Sequence, residues 1–144
     1  MNRLRIGVLV LLVALVWVTG CVTRANVVMA KDDGTSHVYH VNRVRAWKIA
    51  KTVFRWEGGE ALDEHRAQGI LVVRSGAKWV PWGGLKAAWM ERVDRTHTKV
   101  TVVSKRYLGI NVGTSSSEAR FHERFAHALK LVKAGKSLPS ELPQ

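Results

Sequence analysis

Apolar and polar positions follow three rhythms along this chain. The first is an unbroken apolar run of 13 residues, Ile6 to Val18. As a helix it would reach roughly 20 Å at ~1.5 Å per residue, short of a ~30 Å hydrocarbon core. Its length suits the apolar region of an export signal. The second is strand-like. Val27 to Met29 can start a strand, and Lys31-Asp32-Asp33-Gly34-Thr35 reads as a turn with a hairpin signal at Asp-Gly. Ser36 to Val41 follows as a strand, with Val38 and His40 on one face and His37 and Tyr39 on the other. The third is helical. Asn42 caps a helix over Arg43 to Glu57, with Val44, Trp47, Ala50 and Phe54 on one stripe, widened by Ile49, Val53 and Trp56. Arg45, Lys48, Thr52 and Arg55 fall opposite, and Gly58-Gly59 stops the helix.

The strand rhythm then returns. Glu60 to Arg66 is a weak strand, Ala67-Gln68-Gly69 a turn, and Gly69 to Arg74 a strong strand. Ser75 to Gly84 reads as a loop carrying Trp79, Pro81 and Trp82. From Leu85 to Val93, Leu85, Ala87, Trp89 and Val93 alternate with Lys86, Ala88, Met90 and Arg92. Asp94 to His97 turns the chain into a strand over Thr98 to Lys105, giving an antiparallel hairpin. Tyr107 to Thr114 is irregular. Ser115 and Glu118 have capping-box spacing before a second helix, whose stripe is Phe121, Phe125, Ala128, Leu129 and Val132. Gly135 ends it, and 136–144 reads as a loose tail.

Tight turns between strands require an antiparallel sheet, and two broadly apolar helices must bury their stripes against it. The expected fold is α+β: a two-layer sandwich of four to five antiparallel strands with both helices on one face. The expected organisation is an export signal over 1–20, a tether and first strand over 21–35, one domain over 36–135, and a flexible tail.

Arg3 and Arg5, the short apolar run, and Val18-Thr19-Gly20-Cys21 together resemble the bacterial lipoprotein signal with its lipobox. That resemblance implies a diacylglyceryl group on the Cys21 thiol, cleavage between Gly20 and Cys21, and acylation of the new amine. One acyl chain binds a membrane only marginally, whereas two or three hold a small domain there. Cys21 is the chain's one cysteine, so no internal disulfide competes for it. Val22 is not the Asp that holds such proteins at the inner membrane in enteric bacteria, so an envelope with two membranes would place the chain at the outer one, facing the periplasm. Beyond the signal, Glu64 to Ile70, Asp94 to Lys105 and Phe121 to Lys133 are similar to a group of small bacterial lipoproteins of unknown function. The likeness covers most of 36–135 and implies a fold, not an active site.

Charge narrows the partners. The formal charge of +12 falls to +10 when Arg3 and Arg5 leave with the signal. Such a charge favours anionic surroundings. Export argues against nucleic acid and points to anionic lipids or an acidic envelope protein; the alternative is a solvated basic surface with no dedicated partner. Trp79 and Trp82 are candidate contacts for a membrane interface or an apolar ligand, because indoles suit the apolar–wet boundary; the alternative folds both rings over the core.

No catalytic, cofactor-binding or metal site is expected. His122 and His127 are five apart, about 140° around a helix, where zinc-protease histidines are four apart. His37, His40, His65 and His97 lie on separate strands or turns. Thr114 to Ser117 lacks a nucleophile elbow. Glu57, Glu60, Asp63 and Glu64 cluster near one junction as a solvated edge. Two functions follow as expectations: a non-enzymatic binding or scaffolding module at a membrane surface, or a carrier holding a lipid in a cavity between helices and sheet. A small hydrolase has no motif in its favour.

Overall fold

The computed structural model describes residues 24–75, 83–106 and 114–142. The lipobox residues Val18 to Cys21, the Trp79 and Trp82 loop, and nearly all of the irregular segment after β5 lie outside the described residues. In chain order the elements are helix α1 (Arg24–Met29), a 3-10 turn (Lys31–Asp33), β1 (Thr35–Tyr39), α2 (Arg43–Trp56), β2 (Glu60–His65), β3 (Ile70–Ser75), β4 (Gly84–Arg92), β5 (Thr98–Arg106) and α3 (Thr114–Lys133). The strands form one antiparallel sheet in the order β1-β5-β4-β3-β2. This is the α+β fold expected from the pattern.

The helices end as their sequences dictate. Asn42 Oδ1 accepts from the Arg45 N–H at 2.9 Å, capping α2. Gly58 and Gly135 adopt φ of 72° and 71°. The next residues, Gly59 and Lys136, then donate back to the carbonyls of Phe54 and Leu131, the Schellman closure that needs a left-handed residue. The faces of α2 and α3 turned to the sheet meet Leu71, Val73, Ala88, Met90, Val100 and Val102, with Phe54, Phe121 and Phe125 fully buried between the layers.

Four readings change. Val27 to Met29 is helical, not a strand, so Lys31 to Gly34 turns the chain into β1 without closing a hairpin. Val27 is fully buried against the other face of the sheet, beside Ile70, Val72, Leu85, Ala87, Trp89 and Val103. Both faces are therefore buried, and β3, β4 and β5 are buried along most of their lengths. Val44 leaves the core stripe: it is 69% exposed, on the outer side of α2. The tail is tied at its start. Leu138 packs against the core, and the Trp56 indole N–H donates to the Pro139 carbonyl at 3.1 Å.

Glu118 gives the fourth change. Its carboxylate does not turn back to cap α3. Oε2 accepts from the Thr35 N–H (3.1 Å) and hydroxyl (2.7 Å), and Oε1 from the Ser104 N–H (2.9 Å). The last β1–β5 pair is Thr35–Val102, so Ser104 lies two residues past the end of β1. Glu118 supplies the acceptor that the missing strand would have provided.

Candidate functional site

Alanine, tryptophan, isoleucine and phenylalanine take the inner side of α2. Its outer side is left to Val44, Lys48, Lys51, Thr52 and Arg55, where Lys51 and Thr52 each lie three or four residues from Lys48 and from Arg55. With Arg43, Trp47, Arg66 and Leu138, these residues line a groove of about 650 Å³. The turn after β2 supplies Arg66, and the docked start of the tail supplies Leu138. Five of the nine lining residues are cations and none is acidic. The groove falls in the ~300–1,000 Å³ range of small-molecule sites.

One carboxylate answers these cations from the sheet. Glu64 pairs with Lys51 and with Arg66 Nε (3.1 Å), and the Trp47 indole N–H points at it from 3.4 Å. The Lys51 ammonium, helped by Arg66 and Trp47, holds the Glu64 carboxyl below its ordinary pKa. The Arg66 guanidinium lies 6.0 Å from the Trp47 ring, and Arg43 Nη2 donates to the Arg66 carbonyl at 2.9 Å. These contacts fix Trp47 and Arg66 as a floor and a wall. Lys48 and Arg55 are exposed, and among the described residues neither side chain has a carboxylate partner.

A second cluster lies where β1 meets α3. His37 and His122 rings are 4.3 Å apart, and Tyr39 stacks beside them. His122 is 4% exposed. Its Nε2 is 2.9 Å from the Thr35 carbonyl, which only accepts, so Nε2 carries the proton. Nδ1 then accepts from the Tyr39 hydroxyl at 2.9 Å. Burial lowers the His122 pKa from 6.5 to about 4; the Thr35 bond opposes this and His37 adds to it. Burial also pushes the Tyr39 hydroxyl up to about 12. The unfolded chain protonates His122 first, so this residue's stabilisation is complete above pH 6.5 and declines as pH falls from 6.5 towards 4. NMR titration of the His122 ring is expected to give a midpoint near 4; a midpoint near 6.5 would contradict the buried, neutral assignment.

The remaining sequence candidates sort as follows. His40 and His97 pair at 4.8 Å, and His97 Nδ1 lies 2.8 Å from Asp94 Oδ2. His127 is exposed, as its helix position predicts, while His122 is buried. No group of three or more His, Cys, Asp or Glu among the described residues is placed to hold a metal. The carboxylates are not a shared solvated edge. Glu57 is buried with Lys86 and Arg124, Asp63 pairs with Arg24, and Glu64 pairs with Lys51 and Arg66. Cys21, Gly20, Trp79 and Trp82 lie outside the described residues. No helix among the described residues is long and apolar enough to cross a membrane. Sequence reasoning missed the groove, although its signal was present: α2 carries five cations and no acid.

The fold and groove define a small α+β protein with a cationic, partly apolar recess on an outer helix face. Comparison with protein families, with curated proteins and with solved structures found no match.

Proposed function

We propose that this chain is a non-enzymatic binding module of the bacterial cell envelope. In this reading lipid on Cys21 holds it at a membrane, and the α2 groove takes an anionic ligand with an apolar part. The observation that supports it best is the groove's composition: five cations beside Val44, Trp47 and Leu138. The carrier reading, with an apolar cavity between helices and sheet, has less support, because Phe54, Phe121, Phe125, Ile49 and Met90 are fully buried there.

The tether is short on this reading. Helix α1 starts at Arg24, three residues beyond Cys21, a reach of at most ~11 Å at ~3.6 Å per residue. Arg24 pairs with Asp63 in β2, and Arg66 of the groove follows three residues later. The start of α1 is thereby joined to β2, the strand that leads into the groove's Arg66.

Fractionation separates the two attachments. The wild-type chain should stay with membranes in both low salt and ~1 M salt, where the Debye length falls to ~3 Å. The domain from Val22 onward, exported behind a cleavable signal without a lipobox and so unlipidated, should be retained only at low salt. Adding Lys48→Glu and Arg55→Glu should release it there too, since each basic residue near an anionic surface contributes ~1 kcal/mol. Retention of this unlipidated domain at high salt sinks the anchor, and retention of its Lys48→Glu, Arg55→Glu variant at low salt sinks the groove.

A further inference from the structure

We infer that the groove's ligand is the phosphomonoester headgroup of a membrane lipid, gripped chiefly by Lys48 and Arg55. The inference rests on reading the groove as an anion site and adds the chemistry of the anion. Glu64 already answers Lys51 and Arg66. The charge left over on this side of α2 sits on Lys48 and Arg55, since Arg43 turns to the Arg66 carbonyl. Two cations without a carboxylate flank one turn of the recess. A terminal phosphate, with nearly two negative charges and three acceptor oxygens, matches them. Planar guanidinium groups grip such oxygens in pairs, and an ammonium adds a point charge.

Spacing agrees. Lys48 and Arg55 are seven residues apart, two turns of one helix and roughly 10 Å along its axis, with Lys51 and Thr52 on the turn between them. A phosphate at the middle turn has a cation above and below it.

The rest of the groove favours a lipid over a free anion. Val44, 69% exposed, and Leu138 put apolar surface beside the charges. A glycerol and the first carbons of acyl chains would use that surface, and a free phosphate would not. On the anchor reading, α1 begins only three residues after Cys21, which keeps the domain close to headgroups.

Native mass spectrometry of the full chain in neutral detergent micelles tests this. Phosphatidic acid, phosphatidylserine and phosphatidylcholine are titrated separately, with inorganic phosphate as competitor. Phosphatidic acid should bind about tenfold or more tightly than phosphatidylserine, the size of one added charge-assisted contact, and phosphatidylcholine weakest. Lys48→Ala with Arg55→Ala, both at exposed positions, should bring phosphatidic acid down to the phosphatidylserine level without changing the melting temperature. Equal binding of the two anionic lipids, lost in the variant, overturns the phosphomonoester while leaving the anion site. Binding unchanged in the variant overturns both. Displacement of phosphatidic acid by an equal concentration of inorganic phosphate overturns the lipid and leaves free phosphate as the ligand.

Discussion

Glu57→Ala should cost about 3–5 kcal/mol of folding stability, the range for removing one partner of a buried ion pair. The Glu57 side chain is 4% exposed at the end of α2. It meets Lys86 Nζ at 2.8 Å and Arg124 Nη1 at 3.4 Å. Lys86 is the critical member. It stands on β4 in the row with Ala88 and Met90, and its side chain is only 11% exposed. Without Glu57 the ammonium is left buried with no carboxylate beside it, whereas Arg124 keeps more access to water. The cost should show as a lower urea midpoint with an unchanged slope. Glu57→Ala combined with Lys86→Met should recover most of it, since exchanging both charges for apolar groups is often neutral or stabilising. A loss under about 1 kcal/mol in the single variant would contradict this account.

Glu118→Ala should cost about 3 kcal/mol. Three donors lose their acceptor at once, two of them backbone N–H groups, and each bond to a charged group contributes about 1.5–3 kcal/mol without full additivity. The damage should concentrate at the end of the sheet, because Glu118 links α3 to both β1 and β5. Hydrogen exchange should rise most at the Thr35 and Ser104 amides while central β4 amides follow the global change. Glu118→Gln retains one carbonyl acceptor and should lose less. Uniform exchange across the sheet would argue against a local clasp.

These two carboxylates mark where sequence reasoning stops. Glu118 has capping-box spacing after Ser115, and local pattern favours that use. The competing donors come from Thr35 and Ser104, 83 and 14 residues away, and nothing local announces them. Glu57 sits in a cluster of acids that reads as solvated, until the fold places Lys86 and Arg124 over it. Val44 shows the same limit in an apolar residue. Its spacing fits the stripe of α2, yet it falls at the edge of that stripe and is exposed in the groove.

The sequence by itself determined the two long helices to within a residue or two at each end, their glycine stops, the Asn42 cap, the β4–β5 hairpin and the antiparallel α+β class. Those features depend on neighbours a few residues apart: side-chain period, backbone freedom at glycine, and a cap three residues from its donor. Only the tertiary structure decided which charges are buried, that α1 adds to the second face of the sheet, and that Arg66 and Leu138 join one side of α2 to make a cationic groove. Those outcomes depend on groups far apart in the chain, whose meeting is set by how the layers pack.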